Sequence, residues 1–401
     1  MTTGTIHEIS PGLFLIEGHH PHTLWDDPDL PTIAVYRSGT RLYLLDTGVG
    51  ADQYSAIVDV ASRFTGIEEV YLLNSHGHVD HLGNNHVLHE IRSERKYHLI
   101  PRDARPGLDY EAFFSRMYKS GIPYFDYLRG LDLDADRIAG LLRTLSGASA
   151  LTAEDVLALG RQINGLGLSP AVGAFIPSLV VDIILQTYPE VFLSVDTMTD
   201  YEDHSPAEDI AIGGTRWTGW SFVNAEGTID VQVLQSAGHS AGGLVYYLPG
   251  QKFMMFADET SALPIWTDSD PRNTVATAVK ALQMIDEGNL EHMCAGHKPM
   301  LPVAGDHARA QLQQIINTEA EFSHAVADAL RRHPDGMSID DLYEVLREEA
   351  PSNSVIAVAA GLQFPVFATF LKLTLLNHCR LHEFPVDTDL SGRPTFRLPA
   401  H

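Results

Sequence analysis

Short hydrophobic runs alternate with polar turns through the first hundred residues, and this pattern is typical of β-strands that lead into a helix. Runs rich in leucine, β-branched or aromatic residues lie at Leu13–Ile16, 32–36, Arg41–Leu45 and 70–73, and glycine, proline or polar residues follow them. Residues 53–64 instead place their apolar side chains at helical spacing. The N-terminal region is therefore predicted to have a mixed α/β structure.

The middle of the chain changes to helical spacing, and strands return only near residue 229. Helices are predicted at 110–118, 135–145 and 153–163. Strands are then predicted at 229–234, 243–248, 252–256 and 291–294, with a helix at 272–285. We therefore predict a first domain at 1–305 that is interrupted by a mostly helical insertion at 101–225, which would be a cap or a dimer element.

Residues 306–401 are predicted to form a separate helical domain. Residues 308–332 have the pattern of one long amphipathic helix, and Ser338, three residues before Asp341, has the spacing of a helix N-terminal cap. Strands are predicted around 381–384 and 395–398. Such a strand pair after several helices predicts a winged-helix-like unit.

Composition narrows the class of partner. The chain has 401 residues, 44% of them hydrophobic, and its formal net charge of -25 comes from 52 acidic and 27 basic side chains. Nucleic acid binding needs clustered positive charge, so this balance argues against a nucleic acid partner and for a small-molecule substrate. Two cysteines and an N-terminus without an apolar leader predict a cytoplasmic protein with no membrane partner. A homodimer is left open.

The run HGHVDH at 76–81 carries the clearest candidate chemistry in the chain. His76 and His78 lie two positions apart on the turn that leaves a predicted strand, so both imidazoles can point at one ion. Asp80 and His81 follow at the start of the next predicted helix and are displaced enough to serve a second ion. Neutral imidazoles and carboxylates suit zinc and also iron or manganese. The run therefore predicts a metal site with a position left for water.

Three more candidate ligands lie where predicted strands end. His239 stands between two strands in a glycine-rich loop, Asp258 directly follows the strand at 252–256, and His297 follows a short strand. A single histidine in a loop is weak support for a metal site. The order of the three residues and their positions at strand ends make the combination with 76–81 strong.

Together these residues resemble the pattern of the metallo-β-lactamase fold superfamily, which includes glyoxalase II and lactonases. That pattern is a strand ending in Asp-x-Gly, then HxHxDH, a loop histidine, a strand-end aspartate and a final Gly-His. It is matched here by Asp46-Thr47-Gly48, 76–81, His239, Asp258 and Gly296-His297. The likeness covers roughly residues 10–100 and 226–305. It implies an αββα sandwich, to which this chain adds a helical insertion and a C-terminal helical, winged-helix-like domain.

The resemblance also implies two divalent metal ions, zinc in the first place with iron or manganese as alternatives. The first ion would be held by three histidines: His76, His78 and His239. The second would be held by Asp80, His81 and His297. Asp258 would bridge both ions, and Asp46 would orient a ligand from behind.

The activity implied by the resemblance is hydrolysis, in which a metal-bridged hydroxide attacks an ester, lactone or related bond of a hydrophobic or aromatic substrate. Asp80 would pass a proton to the leaving group. True β-lactamases of the family lack an aspartate at the position of Asp258, and flavodiiron proteins usually carry glutamate at the position of His78. The lactonase, thioesterase, phosphoester and aryl-hydrolase branches remain. An iron-dependent oxidoreductase and a catalytically silent interaction protein are the alternatives from other classes.

The insertion contains a group of aromatic residues, which are Phe113, Phe114, Tyr118, Tyr124, Phe125 and Tyr127. They would either line an apolar substrate pocket under a cap, or form the core of the insertion itself or a dimer surface. The sequence favours neither interpretation, because a helical insertion must bury apolar residues in each case.

Overall fold

The computed structural model describes residues 4–20, 29–127, 135–136, 138–140, 142–143, 150–168, 171–175, 197–261, 263, 266–361 and 370–399. The chain divides into two compact units. The first consists of Met1–Tyr110, Leu185–Leu263 and Asp268–Glu319, and the second of Glu111–Ile184, Pro264–Thr267 and Ala320–His401. The boundaries at residues 101, 225 and 305 stay predictions.

One seven-stranded sheet of the first unit has the order β1-β2-β3-β4-β5-β6-β7. Strands β1 to β4 pair antiparallel, and β4 to β7 pair parallel. The strands are β1 Ile6–Ser10, β2 Leu13–Ile16, β3 Ile33–Ser38, β4 Arg41–Leu45, β5 Glu69–Leu73, β6 Arg95–Ile100 and β7 Thr199–Asp200. The helices of this part are α1 Ala51–Ser62 and the single turn α2 Val79–Leu82.

The other seven-stranded sheet has the order β14-β13-β12-β11-β10-β9-β8 and is antiparallel except for the β12–β13 pair. Its strands are β8 Glu208–Ile212, β9 Thr215–Val223, β10 Ile229–Gln235, β11 Leu244–Leu248, β12 Phe253–Met255, β13 His292–Cys294 and β14 Val303–Ala304. The helix α6 Pro271–Asp286 connects β12 to β13. Four predicted strands therefore correspond to β10, β11, β12 and β13, and β8 and β9 lie within the region predicted to be mostly helical.

The two sheets of the first unit bury their facing side chains against each other. Leu45 and Leu73 of one sheet belong to the same buried cluster as Val233 and Leu248 of the other. Helix α1 covers the outer face of the first sheet, where Ile57 and Val60 pack with Leu44 and Leu72. Helix α6 and the start of α7 Gly305–Arg332 cover the outer face of the second sheet. These four layers confirm the predicted αββα sandwich.

The second unit is mainly helical. Its helices are α3 Tyr110–Gly121, α4 Ala153–Gly165, α8 Ile339–Glu349, α9 Val355–Gly361 and α10 Phe370–Leu381, together with the C-terminal part of α7; the short helix α5 Tyr201–His204 belongs to the first unit. Helices α8, α9 and α10 pack on one another, and a hairpin of β15 Val386–Thr388 and β16 Pro394–Phe396 follows them. This confirms the C-terminal helical region.

Details of the second unit confirm one local prediction and overturn another. The Ser338 hydroxyl accepts a hydrogen bond from the backbone N–H of Asp341, so the predicted cap is confirmed. The strand predicted at 381–384 is wrong, because this segment ends α10 and turns before β15 begins at Val386. Among the described residues, none of the helices combines the length and apolarity that crossing a bilayer requires.

The aromatic residues of the insertion are packed within the second unit. Phe113 and Phe114 are both 7% exposed, and each contacts the Trp266 ring. Tyr118 is fully buried, and its carbonyl oxygen accepts a hydrogen bond from the Tyr127 hydroxyl at 2.9 Å. Because Trp266 lies outside 101–225, these side chains form part of the core of the second unit and not of the insertion alone.

Candidate metal centre

The turn that follows β5 brings the HGHVDH run into a tight arc. His76 is buried at the end of the extended segment, His78 is the N-terminal cap residue of the single-turn helix α2, and Asp80 and His81 lie within that helix. A Cβ atom at Gly77 would lie 2.3 Å from the carbonyl oxygen of Ala104. The run therefore needs glycine at 77 because the backbone of the short 3-10 helix Arg102–Gly107 occupies the space of a side chain.

Four side chains that could ligate a metal ion meet in a first group, formed by His76, His78, His239 and Asp258. The Nδ1 atom of His78 lies 3.0 Å from His76 Nε2 and 3.1 Å from His239 Nε2. The Asp258 Oδ2 atom lies 3.8 Å from His76 Nε2 and 3.4 Å from His239 Nε2. Two strand ends of the second sheet thus complete a set of ligands that begins after β5 of the first sheet.

A second group is formed by Asp80, His81, Asp258 and His297. His297 Nε2 lies 3.1 Å from Asp80 Oδ2 and 3.5 Å from Asp258 Oδ2. His81 Nε2 lies 3.0 Å from Asp258 Oδ1 and 3.7 Å from Asp80 Oδ2. Asp258 belongs to both groups, so all seven residues proposed from the sequence lie together at one end of the sandwich.

The spacing within each group suits a metal ion. Zinc bonds of about 2.0–2.1 Å in tetrahedral geometry place ligand atoms about 3.3 Å apart. The separations from 3.0 to 3.8 Å lie on both sides of that value. His81 Nε2 and Asp258 Oδ1 are buried 3.0 Å apart but, within the described part of the chain, neither has a partner of hydrogen-bond geometry. Buried polar atoms of this kind need a partner, and a cation between them would supply it.

The first group favours neutral imidazoles. Burial and the neighbouring histidines hold the pKa of His76 well below its ordinary range. Burial likewise lowers the pKa of His78 to about 4 and that of His239 to about 4, although nearby carboxylates oppose the shift. A histidine must be neutral to donate a lone pair to a metal, so these three side chains are ready to bind an ion at neutral pH.

The second group is dominated by its carboxylates. Burial lowers the pKa of His81, but Asp258, Asp80 and Asp46 outweigh this effect and raise it well above its ordinary value. His297 follows the same pattern, because Asp258 and Asp29 stabilise its charged form. These acids therefore favour a positive charge at this point, which a divalent cation would provide in place of the protons.

Asp46 supports both groups from behind. It is 1% exposed and has a φ of 60°, which is an uncommon conformation for a residue other than glycine. Its Oδ2 atom accepts hydrogen bonds from His81 Nδ1 at 2.9 Å and from the Ser75 hydroxyl at 2.7 Å. The Ser75 oxygen lies 2.8 Å from His76 Nδ1, from which it accepts. One carboxylate thus keeps protons on the outer nitrogens of His76 and His81 and leaves their Nε2 atoms facing inward.

Two further carboxylates contact the ligand residues, and sequence reasoning did not identify them. Glu259 is 2% exposed and accepts hydrogen bonds from the backbone N–H groups of Gly238 and His239. Asp29 accepts a hydrogen bond from His297 Nδ1 at 2.9 Å. The position of Glu259 directly after Asp258 was a signal available in the sequence, whereas nothing in the sequence connects Asp29 to His297.

Comparisons with known proteins agree with this architecture. The model of the metallo-beta-lactamase superfamily matches residues 26–155, which include the HGHVDH run. A beta-lactamase domain protein from Burkholderia ambifaria superposes with a TM-score of 0.53 and 12% identity, covering 99% of this chain and 94% of that one. A metallo-beta-lactamase family protein from Thermus thermophilus gives a TM-score of 0.49 and 16% identity, covering 97% of this chain and 100% of that one.

A stereoselective inverting sec-alkylsulfatase from Pseudomonas sp. is also similar, with a TM-score of 0.48 and 13% identity over 94% of this chain and 50% of that one. No curated protein sequence matches the chain. At 12% identity, the similarity to the Burkholderia ambifaria protein concerns the fold alone. The fold and the clustered side chains define an αββα protein with groups able to hold metal ions. The match assigns residues 26–155 to the metallo-β-lactamase superfamily, whose members are generally metal-dependent hydrolases.

Proposed function

We propose that this protein is a binuclear metal-dependent hydrolase, with zinc as the first candidate metal and iron or manganese as alternatives. The observation that carries the proposal is the sharing of Asp258 between two groups of four ligand residues. Three histidines suit one ion, and two histidines with Asp80 suit the other. The shared carboxylate would keep the two ions close enough to act on the same bond.

Divalent metal ions in such a site act as Lewis acids and lower the pKa of water from 15.7 to about 7. The chain itself must hold its ligands fixed, keep their lone pairs free and move a proton. Asp46 and Ser75 meet the first two needs through the hydrogen bonds to His76 and His81. Fixed ligands matter because a misplacement of about 1 Å can cost roughly a hundredfold in rate.

Asp80 is the proposed catalytic residue for proton transfer. Its side chain is 16% exposed, whereas that of Asp258 is 8% exposed. Its Oδ2 atom lies 3.1 Å from His297 Nε2, so the carboxylate faces the ligand cluster. Burial raises the pKa of Asp80, but His81 and His297 outweigh burial and lower it, so the group is ionised at neutral pH and can accept a proton.

The substrate class we propose is a neutral or weakly charged ester or lactone with an apolar part. The net charge of -25 argues against polyanionic substrates. Thioesters and phosphodiesters are the nearest alternatives, since the same metal chemistry would cleave them. An iron-dependent oxidoreductase would use the same donor atoms, because imidazole and carboxylate also suit iron.

The test is elemental analysis of the purified protein combined with turnover of a panel of lactones, aryl esters, thioesters and phosphodiesters. We expect about two equivalents of metal and metal-dependent hydrolysis of a lactone or aryl ester. The variant Asp258→Asn should lose both metal and turnover. The matched control is His292→Ala, which removes an exposed histidine of β13 and should change neither. Hydrolysis by a folded, metal-free Asp258→Asn variant would refute the proposal, and iron with oxygen consumption would favour the oxidoreductase.

A further inference from the structure

One acidic side chain outside the seven candidate ligands forms hydrogen bonds with a histidine of each group: Glu259 with His239 and Asp29 with His297. We propose that Glu259 is a positioning residue for the first group and Asp29 a positioning residue for the second, acting through His239 and His297 respectively. This inference rests on the proposed function only in assuming that the two groups bind metal. It predicts that the affinity for each ion can be lowered without changing the affinity for the other.

Glu259 fixes the loop that carries His239. Its Oε2 atom accepts hydrogen bonds from the backbone N–H of Gly238 at 3.0 Å, the backbone N–H of His239 at 3.2 Å and the Ser236 hydroxyl at 2.6 Å. Its Oε1 atom also lies 3.2 Å from each of the two backbone nitrogen atoms. A buried side chain that accepts from three donors holds the loop in place, because its loss would leave those donors unpaired in a buried site.

The loop is built around this carboxylate. A Cβ atom at Gly238 would lie 2.6 Å from Glu259 Oε2, and one at Gly243 would lie 2.0 Å from Oε1. Two glycines therefore leave the space in which the Glu259 side chain lies. Since Glu259 directly follows Asp258, the turn that presents the shared ligand also sets the position of the His239 backbone.

Asp29 acts on the other group through a side chain. Its Oδ1 atom lies 2.9 Å from His297 Nδ1, and the donated proton leaves His297 Nε2 to face Asp80 and Asp258. The Asp29 side chain is 40% exposed, whereas Glu259 is 2% exposed. A partly hydrated carboxylate contributes less than a buried one, so we expect the smaller effect at Asp29.

The experiment measures zinc affinity of the full chain by competition with a chromophoric chelator, after the wild type has been shown to bind two ions. Variants Glu259→Gln and Asp29→Asn are compared with His239→Ala and His297→Ala, which show the effect of removing one ligand from the first and from the second group. Loss of a hydrogen-bonded support costs roughly 10–100-fold in metal affinity. We expect Glu259→Gln to lower the affinity of the first group for its ion about 100-fold, and Asp29→Asn to lower that of the second group about 10-fold.

Three comparisons separate positioning from general destabilisation. Exposed carboxylates are replaced in Glu291→Gln and Asp59→Asn, which should bind both ions as the wild type does. If Glu259→Gln fails to fold, Ser236→Ala removes one donor of the same carboxylate and should weaken the same ion by a smaller factor. Cobalt substituted for zinc gives visible absorption bands for the ion in each group. Glu259→Gln should change the bands of the first group, and Asp29→Asn those of the second.

The possible results distinguish the two proposals. A wild type without metal would contradict the proposed function. A wild type with two ions, together with variants that bind both as tightly, would overturn only the positioning roles. An equal loss of affinity for both ions in either variant would also overturn the positioning roles, because Glu259 and Asp29 each contact a histidine of only one group.

Discussion

Replacing Asp46 by asparagine should lower the affinity for both metal ions, although Asp46 is not a candidate ligand of either ion. The substitution keeps the shape of the side chain but replaces one acceptor oxygen by an NH₂ donor. Oδ1 accepts from the Ser75 backbone N–H at 2.7 Å, so the amide oxygen takes that place and the NH₂ group takes the place of Oδ2. The new donor then faces His81 Nδ1 and the Ser75 hydroxyl.

Both imidazoles would respond by moving a proton. His81 Nδ1 would accept from the amide, which places the proton on Nε2. The Ser75 hydroxyl would accept from the amide and donate to His76 Nδ1, with the same result there. A protonated Nε2 cannot bind metal. Binding would require the outer tautomer again, in which two donors face each other in a buried site.

The expected magnitude follows from the cost of a buried, unpaired donor, which is about 1–3 kcal/mol. His76 belongs to the first group and His81 to the second, so each ion should lose about 2 kcal/mol. At about 1.4 kcal/mol for each factor of ten, each ion binds about 30-fold more weakly.

The assay is zinc titration of the full chain by calorimetry. Asp230→Asn is the matched control, because Asp230 is 3% exposed and accepts from Tyr43 and Ser38 in the same unit without contacting a ligand. It should lower the free energy of unfolding and leave zinc affinity unchanged. Wild-type affinity in Asp46→Asn, or weakening of only one ion, would refute the reasoning, because the network connects Asp46 to one histidine of each group.

Three further changes test other parts of the molecule. Gly77→Ala should lower both Tm and metal content, since its Cβ would lie 2.3 Å from a backbone oxygen, whereas Gly250→Ala meets nothing within 4 Å and serves as its control in the same thermal melts. Burial lowers the pKa of His98 to about 3, so its contribution to stability is complete above about pH 6.5 and is lost as the pH falls toward 3. Urea unfolding between pH 6 and 4 should show the wild type losing about 1.4 kcal/mol more per pH unit than His98→Gln, and parallel curves would contradict this. Lys372→Met leaves Asp340, its partner at 2.7 Å, buried without a countercharge and should cost about 3–5 kcal/mol. In urea unfolding, the double variant with Asp340→Asn should recover part of that loss, and no recovery would argue against the ion pair.

The seven candidate ligands could be proposed from the sequence because their types and positions are specific. The run at 76–81 places three imidazoles and a carboxylate within six positions, with a glycine between the first two histidines. His239, Asp258 and His297 each follow a strand that the spacing of apolar residues predicted. The sandwich could be predicted for the same reason, since strands such as Arg41–Leu45 have clear boundaries.

The contact of Asp29 could not be predicted, because it joins distant parts of the chain. Asp29 and His297 are 268 positions apart, and no local pattern connects them. Strands β8 and β9 were within reach of periodicity, since Thr215, Trp217 and Gly219 are buried alternately with exposed neighbours. Charged residues at 208–209 and a glycine within the strand weakened that signal.

The separation of the ligands along the chain has a consequence for folding. His78 and His239 are 161 positions apart, and Asp80 and His297 are 217 positions apart. Neither candidate ion site can exist before both sheets have formed and docked, so metal would bind the native state and not a half-assembled chain. By mass action, each ion present at 100 times its Kd would then add about 2.7 kcal/mol to the free energy of unfolding. Metal supply would thus control the fraction of the protein that is folded as well as whether it is active.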